Sequence, residues 1–175
     1  FLSLFSYTTS YPLMRNGINY NSTLSPKLSL RYSPSTMKNL RDNSNRIDIN
    51  NIWSFSRIAG SDTVESGQSL TVGSEFTLGR VEKSKNFLNV SLATNFRDST
   101  NERIPTSSTL GNKSSNLVGQ IEINPSNNFD LDYKFSLDNN FDVLEYNEVN
   151  TSLRVNNFVT RFKYVEENDN IGSEQ

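Results

Sequence analysis

At 175 residues the chain is long enough for one domain, yet only 34% of it is hydrophobic and its mean hydropathy is −0.59. Its net charge is −2 with acids and bases interspersed, which leaves no basic stripe for a nucleic-acid partner. It has no Cys and no His, which removes disulfides, thiol chemistry, Ser-His-Asp catalysis and the commonest metal ligands from this segment; no enzyme activity, metal or cofactor is expected.

Asn and Ser supply nearly three residues in ten, which starves a conventional core and suits turns and wet strand faces. No apolar run approaches the ~18 residues of a membrane helix. The chain opens at Phe1 with no initiator Met or apolar leader, and it runs out in the polar segment 166–175 with no terminal aromatic strand. An internal piece of a longer protein is the expectation.

Eight strands are predicted in chain order: 1–13, 23–33, 67–80, 87–97, 116–124, 129–138, 142–155 and 158–167. In 67–80 the apolar set is Leu70, Val72, Phe76 and Leu78; in 87–97 it is Leu88, Val90, Leu92 and Phe96. In 116–124 it is Leu117, Gly119, Ile121 and Ile123. The cleanest is 129–138, where Phe129, Leu131, Tyr133, Phe135 and Leu137 alternate with Asp130, Asp132, Lys134 and Ser136. One strand face is therefore wholly apolar and the other wholly polar. Ten residues of such alternation, repeated along the chain, match the length and period of a transmembrane β-strand. Strand 142–155 keeps phase from Val149 to Val155, but Glu145 and Asn147 interrupt it, which puts its first half above the membrane.

Turn lengths test this reading, because facing residues must share a sheet face. Val155 pairs with Phe158 if the loop is Asn156-Asn157, which sets Leu153 by Thr160, Thr151 by Phe162 and Val149 by Tyr164. Parity demands an odd loop between Leu137 and Phe141, met by Asp138-Asn139-Asn140. It also demands three or five residues between Ile123 and Phe129. Short turns near 14–22, 81–86, 125–128 and 156–157 alternate with long loops only if 34–66 is one excursion. Ile49 to Arg57 is therefore placed in an ordered loop with a helical turn, and 98–115 is the second long loop.

Single residues carry competing readings. Asp130 and Asp132 share a face at a spacing of roughly 7 Å, which suits a carboxylate pair for glycoside hydrolysis but equally a solvated wall; the nearby strands offer no apolar pocket to raise one pKa. Asp98, Asn101 and Glu102 offer oxygen donors for calcium without the spacing of a calcium loop. Gly111-Asn112-Lys113-Ser114 lacks the first glycine and the helix of a phosphate loop. Arg57 and Asp62 form either a charge-assisted bond that pins the long loop or an exposed pair worth under about 1 kcal/mol. Trp53 either joins an interfacial aromatic girdle or packs the loop, and Tyr7, Tyr11, Tyr32, Tyr133, Tyr146 and Tyr164 are girdle candidates.

The segment from Arg46 to Gly73 holds Asp48, Trp53 to Phe55, Arg57, Gly60, Asp62, Gln68, Leu70 and Thr71 in an order that resembles the LPS-assembly outer-membrane protein family (LptD, also called organic solvent tolerance protein). That family runs from an Asp-rich stretch and a Leu-Phe pair through Arg-x-x-Gly-x-Asp-Arg to a strand beginning Gln-Leu-Thr. Thr63 departs from it, standing where the family commonly has Arg. Thr23-Leu-Ser-Pro-Lys-Leu, and Phe96-Arg97 leading through Pro105 to Ser115-Asn-Leu-Val-Gly119, are similar to it as well; the similarity spans about residues 20–167.

The resemblance implies a barrel of about 26 strands in the outer membrane of a Gram-negative envelope, attached to a periplasmic β-jellyroll. Lipopolysaccharide would pass from the jellyroll into the barrel and leave sideways between the first and last strands, with a lipoprotein plugging the lumen. The expected fold is accordingly all-β: an antiparallel up-and-down transmembrane β-barrel segment of about eight strands, residues 1–175 forming an open arc of that larger barrel. Partners implied are lipopolysaccharide, outer-membrane lipids and the plug lipoprotein. Alternation alone assigns Glu75, Gln120, Glu122, Asp130, Asp132, Lys134, Arg154, Arg161 and Lys163 to the lumen face. A porin-like barrel and a secreted soluble β-sandwich that binds carbohydrate are the alternatives. The sandwich requires a second layer over the apolar faces.

Overall fold

The computed structural model describes residues 1–58, 62–81 and 86–168. It is an all-β protein in which nine strands form one antiparallel sheet: β1 (Phe5–Ser10), β2 (Leu13–Asn16), β3 (Tyr20–Ser33), β4 (Gly67–Arg80), β5 (Asn86–Arg97), β6 (Leu117–Ser126), β7 (Phe129–Leu137), β8 (Leu144–Val155) and β9 (Phe158–Glu167). Each strand from β3 onward pairs with the next in sequence, β1 and β2 both pair with β3, and β9 does not return to β1. The sheet is an open up-and-down arc with two free edges. β1 and β2 are one wall position broken at Tyr11-Pro12, where Pro12 has no N–H to donate, so the eight expected strands correspond to eight places in the wall. The first extends to Asn16, past the expected boundary at 13, and β3 begins at Tyr20.

The final hairpin has the expected register: Val155 faces Phe158, Leu153 faces Thr160, Thr151 faces Phe162 and Val149 faces Tyr164. Asn156 takes the left-handed conformation of the two-residue turn, φ 53°. The Ile123–Phe129 hairpin resolves its odd count with a bulge: Ile123 faces Leu131, Ser126 faces Phe129, and only Asn127 and Asn128 turn. The loop after β7 corrects the parity argument. Leu137 faces Leu144, not Phe141, and the connection is 138–143. A register shift next to Leu137 absorbs the extra residue, and Phe141 lies in the loop at φ 63°. Asp138 holds that loop by accepting the N–H groups of Asp142 and Val143 at 2.8 and 2.9 Å.

The buried hydrophobic cluster lies on the polar side of the sheet. The described residues of 34–66, free of strands, fold back across it, and Met37, Ile47, Ile49, Ile52 and Ile58 pack on Ala93 and Val118 together with Ile104 and Leu110 of the second long loop. Asp48 starts one helical turn by accepting the N–H groups of Asn50 and Asn51, and the Ile52 N–H closes it on the Asp48 carbonyl at 3.0 Å. Trp53 packs against this cluster, which answers the girdle-or-loop alternative in favour of the loop. Gly73 is its socket: a Cβ there would lie 2.8 Å from Trp53 Cζ2.

Candidate functional site

The sheet's two faces have opposite environments. On the apolar face Leu30, Val72, Phe96, Leu153 and Phe162 are 51, 38, 44, 43 and 59% exposed. No layer of the described residues covers them. The cross-strand rows on this face are apolar through six strands: Leu24–Phe76–Val90–Ile121–Tyr133–Val149 is one. Phe135 lies across Gly119, where a Cβ would come within 2.6 Å of its Cε1 and 2.8 Å of Leu92 Cδ2. Tyr7, Tyr32 and Tyr164 are exposed on this side, and Tyr133 stacks on Phe135 at 5.7 Å between centroids. Tyr146 is different. It is buried on the polar side beneath Arg46, whose guanidinium lies 3.4 Å from the ring centroid, so it is not a girdle member.

All nine residues assigned by alternation fall on the polar face, in register with one another. Gln120 faces Lys134, Glu122 faces Asp132, Asp132 faces Asn150, Asn150 faces Lys163, Ser152 faces Arg161, and Glu75 faces Ser91. Gln120 donates to Asp132 at 2.7 Å, Asn89 donates to Glu122 at 2.9 Å, Arg154 pairs with Asp130 at 2.9 Å, and Lys163 lies 3.4 Å from Glu148. Asp130 and Asp132 thus each take a separate partner rather than bonding to one another. Among the described residues no group of three or more carboxylates or other ligands is placed to hold a metal.

Above this charged band the loop is clamped to the wall by a buried polar cluster. Arg57 is 2% exposed and Glu65 6%. Arg57 Nε and Nη2 donate to the two Glu65 oxygens at 3.0 and 2.7 Å, a bidentate pair. The same guanidinium reaches Thr71, Asn95 and Ser69 at 3.0, 2.9 and 2.9 Å. Arg97 Nη1 donates to Glu65 at 2.5 Å, and Arg31 Nη1 donates to the Ser54 carbonyl at 2.7 Å. Burial would raise the Glu65 carboxyl, but Arg57 above all, then Arg97 and Arg31, outweigh it and hold the group below the usual carboxylate range.

The carboxylate that takes Arg57 is therefore Glu65 and not Asp62, which is exposed in a left-handed turn at φ 61°. Gly60 of the same motif lies outside the described residues. Thr63, the departure from the motif, is buried and accepts the Lys38 N–H at 3.0 Å. Alternation could have found Arg31 and Arg97: both share the polar face with Ser69, in one cross-strand row. Glu65 precedes β4 and carries no such signal. A second clamp joins the loop to the far strands, where Arg46 pairs with Glu167 of β9 at 3.0 Å.

Comparison with known proteins adds two findings. The family model LptD, described as LPS transport system D, matches residues 1–175, the whole chain. No curated protein matches it.

Proposed function

Because the chain belongs to the LptD family, whose members transport LPS at the outer membrane, we propose that it forms part of the barrel wall of an LPS translocon and acts without covalent chemistry. The observation that carries this reading is the inversion of the sheet: apolar side chains stand open on one face while the polar face is the one the chain covers. A soluble protein buries the former, whereas lipid rewards its exposure. On this reading residues 1–175 are one arc of a larger barrel domain, with 34–66 and 98–115 as long loops folded over its lumen. Glu75, Gln120, Glu122, Asp130, Asp132, Lys134, Arg154, Arg161 and Lys163 line the lumen below them. Such carboxylates, amides and cations, already hydrogen-bonded to one another, would hydrate the sugar and phosphate parts of lipopolysaccharide while the apolar face stays in hydrocarbon. The plug lipoprotein that the family resemblance implies would meet this same face.

Detergent tests the reading. The full-length protein should aggregate when detergent is removed and return to a monodisperse state in micelles or bilayers. A folded, monodisperse protein in plain buffer would defeat it.

A further inference from the structure

Among the described residues the apolar face carries charge only at its two ends. By register, its outward positions along β2, β3 and β4 run from Arg15, Tyr20 and Arg80 at the short-turn end to Tyr32 and Gln68 at the long-loop end. Tyr20 and Tyr32 are 12 residues apart on β3. That is about 40 Å along a strand, or roughly 30 Å of depth at a tilt near 40°. An outer-membrane barrel's apolar band is about 25 Å tall, so both tyrosines stand just beyond it, at the two interfaces.

Arg80 faces Tyr20 across the ladder, at headgroup depth. Arg15 faces Ser22, one two-residue step further in, a depth from which an arginine side chain is long enough to snorkel back to the same interface. β2 and β4 flank β3, so the Cα atoms of the two arginines lie about 12 Å apart, two strand spacings across and two residues along, with Tyr20 on the strand between them. Arg80 also lies 5.8 Å from the Phe87 ring centroid, which steadies its stem. Neither arginine has a carboxylate partner among the described residues. At the opposite end the outward charge is acidic, in Glu166 facing Asn147.

We propose that Arg15, Arg80 and Tyr20 form a site for the phosphodiester headgroup of an anionic glycerophospholipid in the leaflet at the short-turn end. It rests on the barrel reading. Guanidinium–phosphate pairs are bidentate and charge-assisted, Tyr20 supplies a hydroxyl, and the apolar rows above receive the acyl chains. Matching cationic groups to the phosphate layer fixes the height of this arc in the membrane.

The test uses the full-length barrel purified in detergent, titrated with dioleoylphosphatidylglycerol in mixed micelles while thermal unfolding is followed. Dioleoylglycerol, with the same tails and no phosphate, and inorganic phosphate alone are the comparison arms. The wild type should be stabilised most by phosphatidylglycerol, less by the diacylglycerol, and not by phosphate. Arg15→Gln/Arg80→Gln should raise the half-saturating phosphatidylglycerol content about tenfold and keep the diacylglycerol response. Lys113→Gln, which removes an exposed charge from the long-loop end, should match the wild type. Equal responses to both lipids, an unchanged double variant, or protection by inorganic phosphate alone would overturn the site. If the double variant does not fold, Arg15→Gln and Arg80→Gln singly must each weaken the response, and full retention in both overturns it. Indifference to every lipid would instead defeat the barrel reading.

Discussion

Glu65→Gln keeps the shape of the side chain that Arg57 and Arg97 share and removes its charge. Arg57 gives Glu65 two bonds, at 3.0 and 2.7 Å, and Arg97 gives it one at 2.5 Å, all at positions under a tenth exposed. Breaking a buried pair by removing one partner costs about 3–5 kcal/mol, because the surviving charge stays desolvated. Here the survivors are Arg57 and Arg97, with Arg31 of the same cluster beside them. The loss should fall on docking of residues 34–66 rather than on the ladder, whose hydrogen bonds do not involve these groups. Three to five kcal/mol corresponds to roughly two to four orders of magnitude in loop opening. Hydrogen exchange on the full-length protein in detergent reads this directly at the Leu40 and Ile52 amides, bonded to the Arg103 and Asp48 carbonyls. Both should exchange faster by that factor, while β7 amides hold their rates. Exchange at Leu40 and Ile52 within about threefold of wild type would refute the clamp. The pH dependence has a definite sign. A carboxyl held low in the folded state contributes its full stabilisation above the ordinary carboxylate pKa, about 4.3, and loses it as pH falls through the lowered folded value. Loop docking should therefore be flat from neutral pH down to about 5 and fail only in strong acid, and Glu65→Gln should remove that acid step.

The facing of the wall predicts an asymmetric pair. Leu131→Arg puts a cation in hydrocarbon at a cost of roughly 2–4 kcal/mol and should impair membrane assembly, whereas Asp132→Arg on the polar face should be much milder; heat-modifiable gel mobility compares them, and equal damage would contradict the facing. Gly119→Val forces a side chain into the space of Phe135 and Leu92 and should destabilise by about 1–3 kcal/mol in denaturant titration, with partial recovery when combined with Phe135→Leu. Asp138→Ala removes the acceptor for the Asp142 and Val143 N–H groups, so exchange at those two amides should rise while the β7–β8 ladder stays protected. The Asp138 carboxyl, lowered chiefly by the Val143 N–H, should keep this loop ordered until pH drops below the ordinary carboxylate range.

Alternation along 67–80 and 158–167 was enough to set both strand limits and facing, because a period of two maps directly onto the two sides of a pleated sheet. The Asn156-Asn157 turn was legible for the same reason, since parity and loop length have one common solution there. Parity misled at Leu137, where a register shift supplies the residue that an odd loop would have supplied. The motif around Arg57 marked an ordered loop, but its partner was misassigned to Asp62. Spacing along an irregular segment does not reveal which carboxylate the chain turns inward.

Local chemistry by itself determined that this polypeptide makes ribbons with one oily and one wet side, since side-chain direction in a strand depends only on position. Tertiary structure decided what lies against the wet side. Glu65, Arg31, Arg57 and Arg97 come from a loop and two strands and meet only once the sheet register and the fold-back of 34–66 exist together. A buried charge cluster is stable only when all its members arrive, which no stretch of neighbouring residues can specify.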